Sequence, residues 1–124
     1  MNIYQEHILD HAQYPRHWGR VDPADAVARV ENPLCGDWIE VSVRIDGGKV
    51  EKIGMRGEGC MISKAAGSIL AEHAGGQSIV HLRRMTADEM RELLGIELTI
   101  SRIRCGLLAW EAMRQALPVR QDRI

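Results

Sequence analysis

Ile39-Glu40-Val41-Ser42-Val43-Arg44-Ile45-Asp46-Gly47-Gly48-Lys49-Val50 is the stretch whose reading decides the fold. Ile39, Val41, Val43 and Ile45 alternate with Glu40, Ser42 and Arg44. That period of two marks a strand with one face in a core and the other toward solvent. Asp46-Gly47-Gly48-Lys49 supplies turn residues that tolerate positive φ, so residues 50–55 are expected to return as the second arm of a hairpin. The alternation in that arm is imperfect, which places an irregularity near Lys52 or Gly54.

Working outward, residues 26–30 form a third short strand candidate. Upstream, Tyr4, Ile8 and Ala12, with Ile3 and Leu9 beside them, predict an amphipathic helix over residues 3–13. It ends before Pro15, because the residue preceding a proline avoids helical angles. Downstream of Gly57-Glu58-Gly59-Cys60 the period changes. Ile62, Ala65, Ala66, Ile69 and His73 recur at helical spacing until Gly75-Gly76 stops them. A short helix is expected over residues 78–84, and Thr86-Ala87-Asp88-Glu89 reads as a capping box. Residues 95–101 read as a connection, and a last helix is expected from about residue 102 to 117. The fold class is therefore α+β: an N-terminal helix, a three-stranded antiparallel sheet and helices packed on one face.

The chain has 124 residues, 45% apolar and 27% charged, with a net charge of −1. These values suit a single domain spanning 1–124. Charge of both signs is mixed throughout, so no basic face points to nucleic acid. No apolar run reaches the roughly 18 residues of a membrane span. The N-terminus lacks the basic-then-apolar layout of a signal peptide, and a cytoplasmic protein is expected.

Three cysteines cannot all pair within the chain, which raises the weight of metal binding or sulfur chemistry. In Asn32-Pro33-Leu34-Cys35-Gly36-Asp37, a soft thiol and a hard carboxylate stand two residues apart. Cys60 lies where a strand gives way to a helix, and Cys105 is expected in the first turn of the last helix. Helix N-termini favour thiolate over thiol. Cys35, Asp37, Cys60 and Cys105 would make a four-ligand shell that tetrahedral zinc accepts. Iron–sulfur clusters usually take four thiolates, so a carboxylate would mark a site tuned to release its contents. Gly36, Gly57, Gly59 and Gly106 suit a site with backbone close by. No CxxC pair exists, which excludes zinc-finger knuckles.

Four segments together resemble the iron–sulfur cluster assembly scaffold family of the IscU, SufU and NifU N-terminal type. They are Tyr4 through Ile8-Leu9-Asp10-His11 to Tyr14-Pro15-Arg16-His17-Trp18-Gly19; Asn32 to Asp37; Gly57-Glu58-Gly59-Cys60-Met61-Ile62-Ser63; and Arg104-Cys105-Gly106-Leu107-Leu108-Ala109-Trp110. The resemblance implies a scaffold that accepts sulfur from a cysteine desulfurase and holds a transient [2Fe–2S] cluster on Cys35, Cys60 and Cys105, with Asp37 nearby. The cluster then passes to apo acceptor proteins. It implies a carrier rather than an enzyme, with at most a sulfurtransferase-type step in which Cys105 or Cys35 takes the persulfide. Zinc is the alternative occupant, and in the SufU type it accompanies a role as sulfur acceptor for the desulfurase. Arg104 before the third cysteine, with Leu108-Ala109-Trp110, is closer to SufU, yet the insertion usual in that type is missing. Thr99-Ile100-Ser101-Arg102 stands where a specialised chaperone reads Pro-Pro-Val-Lys in IscU-type members, so that partner is not expected.

Other readings stay open beside this one. A structural zinc domain would use the same ligands. A thiol hydrolase ranks last, because no histidine neighbours Cys60 or Cys105 in sequence. Asp37 could instead cap a strand, and Arg104 could pair with Asp37 when the site is empty. Tyr4 either contacts the desulfurase or packs, and His11 braces the first helix and loop. His7, His17 and His81 read as surface residues, and His73 as a core or helix-end residue.

Overall fold

The computed structural model describes residues 3–34 and 36–118; the side chains of Ile3 and Tyr4 are outside the description, as is Cys35. The described elements are α1 (Ile3–Gln13), β1 (Ala26–Glu31), β2 (Trp38–Asp46), β3 (Lys49–Glu58), α2 (Met61–Ala74), α3 (Ile79–Arg83), α4 (Ala87–Leu94) and α5 (Ile100–Ala116). The three strands form one antiparallel sheet in the order β1-β2-β3. The α+β class follows as expected from the sequence.

Gly47 and Gly48 have φ of 58° and 76°, the positive values a two-residue hairpin turn requires. The irregularity falls one residue before Lys52. Arg44 pairs with Lys52 but Ile45 pairs with Val50, leaving Glu51 as the extra residue of a bulge. The bulge returns Val50 to the core face beside Ile53 and Met55, although its spacing from them is odd. This accounts for the broken alternation in the sequence.

Ile39, Val41 and Val43 face the helices and are buried. The opposite face departs from the expected polar-out pattern, for Ser42 is 1% exposed and Glu40 only 9%. Residues 17–21 cover it. Met55 N–H donates to His17 O, Gly19 N–H donates to Met55 O, and Val21 N–H donates to the Ser42 hydroxyl. Gly54, opposite Ser42, permits this crossing: a Cβ there would lie 2.5 Å from Gly19 O. Glu40 is paired with Arg56 at 2.9 Å.

On the helical side α2 packs against α1, α5 and β3, and α5 against β1 and β2. Ala65, Ala66, Ala109, Ala112 and Ala116 are buried, and their small side chains let these layers approach. Leu70, Leu108, Met55 and Met113 fill the space between. Each such side chain contributes about 1.5–3 kcal/mol when fully buried. The chain contains no phenylalanine, so aliphatic and methionine side chains carry the core. His11 is buried as a brace: Arg16 N–H donates to the Ser68 hydroxyl, which stands 2.6 Å from His11 Nδ1. His11 Nε2 faces Glu72 at 3.3 Å. One ring thus ties α1 and the following loop to α2.

The capping box at Thr86 and Glu89 forms as expected. The start of α5 differs from its sequence reading. It begins at Ile100 rather than near Arg102, so Cys105 sits in the second turn instead of the first. No described helix is long and apolar enough to cross a membrane.

Candidate metal and sulfur site

The β1–β2 connection is a tight turn organised by Asn32, which is 3% exposed. Its backbone N–H donates to Asp37 O, its carbonyl accepts from Gly36 N–H, and its side-chain oxygen accepts from Leu34 N–H. Gly36 closes the turn with φ of 79°. The connection delivers Asp37 to the first position before β2, with its side chain aimed at the start of α2.

There Asp37 Oδ2 accepts the backbone N–H of Cys60 at 3.1 Å and the hydroxyl of Ser63 at 3.0 Å, and lies 3.9 Å from Cys105 Sγ. Cys60 occupies the N-cap of α2 and makes no side-chain cap of its own. Asp37 supplies the capping oxygen from 23 residues away. The expectation that Asp37 could cap a strand is therefore corrected: it caps a helix. Gly59 makes room for it, since a Cβ at that position would be 2.7 Å from Asp37 Cγ.

One ligand atom each from Asp37, Cys60 and Cys105 lie within 4.8 Å of one another. They sit in an open cleft of about 660 Å³ that Leu34, Ile100, Arg102 and Arg104 also line. Leu34 and Ile100 are exposed apolar side chains, at 85% and 91%. No histidine lines the cleft among the described residues. Gly106 stands apart in role: a Cβ there would meet Leu98 Cδ1 at 2.5 Å, so it admits the α4–α5 connection against α5.

Burial pushes the Cys60 thiol up, but hydrogen bonds from the Ser63 backbone and hydroxyl, Cys105 and the Ile62 backbone outweigh it and hold Cys60 below the ordinary thiol range. Helix-end stabilisation belongs to Cys60; the second-turn position of Cys105, which is 5% exposed, removes that argument for it. Ser63 was not singled out in the sequence. Its signal is its place three residues after the N-cap, where a side chain returns to the cap.

The donor set fits a tetrahedral thiophilic metal. With metal–sulfur bonds of about 2.3 Å, ligand atoms stand about 3.8 Å apart, so this trio needs only a small contraction. Cys35, the remaining ligand expected from the sequence, lies outside the described residues.

The model of the NifU-like N terminal domain family matches residues 3–123. The chain belongs to this family. The NifU-like domain is 33% identical over 115 residues to an iron–sulfur cluster assembly scaffold protein IscU of Archaeoglobus fulgidus, covering 93% of this chain and 74% of that one. It is 29% identical over 132 residues to the zinc-dependent sulfurtransferase SufU of Bacillus subtilis, covering 93% and 89%. That alignment is longer than this chain, so the Bacillus protein carries residues that are absent here. A solved structure of a nitrogen-fixing NifU-like N-terminal protein from Brucella abortus shares the fold, with a TM-score of 0.77 at 24% identity, covering 98% of this chain and 94% of that one.

Proposed function

We propose that this NifU-like domain is a cluster assembly scaffold. It takes sulfur from a cysteine desulfurase, holds a transient [2Fe–2S] cluster on Cys35, Cys60 and Cys105 beside Asp37, and passes it to apo acceptor proteins. The observation that carries this reading is the convergence of Asp37, Cys60 and Cys105 at the mouth of an open cleft. Asp37, Cys60 and Cys105 line a cleft of about 660 Å³, which suits a cargo that must enter and leave. Asp37 offers a hard oxygen among soft sulfurs, which weakens retention of a thiophilic cargo. The exposed Leu34 and Ile100 at the rim suit transient contact with a partner.

A second reading is favoured by the same donor set and by the Bacillus relative. In it Zn2+ is held by Cys35, Asp37, Cys60 and Cys105, and the protein accepts sulfur for the desulfurase without building a cluster. Zinc would supply Lewis-acid stabilisation of thiolate there. Anaerobic reconstitution with iron and sulfide, followed by visible absorption and metal analysis, separates the two. A coloured two-iron product supports the scaffold. A colourless protein that keeps zinc and accelerates a desulfurase supports the zinc reading.

A further inference from the structure

Cys60 and Cys105 come from different elements, the N-cap of α2 and the second turn of α5, yet their sulfurs lie within 4.8 Å of each other. Their settings differ. Cys105 is fixed within α5 and is 5% exposed. Cys60 has extended backbone angles, φ −71° and ψ 169°, outside the helix it precedes. Rotation of its side chain leaves the hydrogen bonds of α2 intact, because its backbone N–H is the group held by Asp37. Cys60 Sγ already lies 3.6 Å from Ser63 Oγ on one side and faces Cys105 on the other.

We propose that Cys60 and Cys105 form a resolving pair, in which either thiol reduces a sulfane sulfur carried by the other and releases it as sulfide in the cleft. The proposal rests on the sulfur-acceptor step of the function proposed above. A sulfur atom taken up as a persulfide is formally zero-valent, whereas sulfide needs two more electrons. The partner thiol attacks the inner, cysteine-bound sulfur of the persulfide. A Cys60–Cys105 S–S bond forms and the bond between inner and outer sulfur breaks. The outer sulfur departs with the electron pair and takes the proton of the attacking thiol, leaving as hydrogen sulfide. The sulfane sulfur gains two electrons and the two cysteine sulfurs lose one each, so the dithiol is itself the reductant.

Distance favours this outcome. A disulfide needs its sulfurs about 2.05 Å apart; these two start within 4.8 Å of each other, and Cys60 lies outside the helix it precedes, where its side chain can turn. Attack on the inner sulfur also expels hydrosulfide, a better leaving group than an ordinary alkyl thiolate. The resulting disulfide withdraws two metal donors, so sulfide release and metal binding exclude each other on one chain. A dithiol reductant must then reset the pair by thiol–disulfide exchange.

The test uses the full chain, metal-free and anaerobic, with glutathione persulfide as the sulfur donor. Released sulfide, intact mass and disulfide-mapped peptides are followed together. The expected result is sulfide in proportion to the sulfur taken up, with a Cys60–Cys105 linked peptide. Cys60→Ser and Cys105→Ser should each retain persulfide and lose sulfide release at least tenfold. Persulfide that persists in the wild type without the linked peptide overturns the proposal alone. Sulfide release kept at the wild-type level in Cys60→Ser or in Cys105→Ser overturns it as well. A chain on which no thiol takes up sulfur overturns both this proposal and the acceptor step beneath it.

Discussion

The Asp37 carboxylate caps the helix that begins at Cys60: Oδ2 receives the Cys60 backbone N–H at 3.1 Å and the Ser63 hydroxyl at 3.0 Å. A residue proposed to hold metal therefore also holds the backbone of a second proposed ligand in place. Binding a metal through Oδ2 would compete with this cap and so couple occupancy of the site to the order of the first turn of α2.

Asp37→Ala should accordingly have two separable effects. Loss of the cap should lower the stability of the metal-free protein by about 1 kcal/mol, read from the denaturant midpoint. A reconstituted cluster should be lost more slowly than from the wild type, because the labile hard ligand is gone. Faster loss, timed by the decay of visible absorption, would rule out Asp37 as the labile position.

Gly59→Ala should disturb the site without removing any ligand. Its Cβ would meet Asp37 Cγ at 2.7 Å, so the carboxylate must move. Overpacking of this kind costs about 1–3 kcal/mol. We expect zinc affinity to fall roughly tenfold or more, with the far-UV spectrum unchanged. Unaltered affinity in a competition titration would mean that the carboxylate position does not matter for binding.

Removing metal should leave the tertiary fold intact. The buried set that includes Ile39, Val41, Met55, Leu70 and Leu108 does not depend on the ligand atoms. Structural zinc can contribute about 10–16 kcal/mol to folding, so a domain that relied on it would unfold on chelation. A retained near-UV signal from Trp18, Trp38 and Trp110 after chelation is the expected outcome, and its disappearance would favour a structural zinc domain. Cys35→Ser, Cys60→Ser and Cys105→Ser should each weaken metal retention by an order of magnitude or more.

His11 should make stability fall in mild acid. Burial holds its pKa below the usual histidine range, with Arg16 and His7 acting in the same direction against Glu72 and Asp10. The unfolded chain takes up a proton near pH 6.5, while the folded chain resists it. Stability is thus undiminished above that pH and declines as pH falls below it. Chemical denaturation at pH 7.5 and pH 5.5 should show a larger loss for the wild type than for His11→Gln. Equal losses would mean that the brace does not titrate in this window.

The sheet, its hairpin turn and the capping box of α4 were legible because each depends on local chemistry. The Gly47-Gly48 pair, the period of two in β2 and the Thr86–Glu89 exchange are all satisfied within a few residues of themselves. The burial of Ser42 and Glu40 was not legible, since it arises from residues 17–21 crossing a face that the alternation alone assigns to solvent. The start of α5 was misplaced by two residues: Thr99, a residue type that favours the N-cap, marks it, but stands in a stretch that reads as a connection and makes no side-chain cap.

By itself the sequence determined the α+β class, the family, and which residue types have the chemistry to meet at a site. Tertiary structure alone decided how they meet. Asp37, Cys60 and Cys105 are separated by dozens of residues, and only the packing of α2 and α5 on one sheet brings their atoms within a few ångströms. Spacing along a chain constrains atoms within a turn or a hairpin; across longer separations the core sets the distance. For that reason the helix-capping role of Asp37 and the Ser63 contact became visible only in three dimensions.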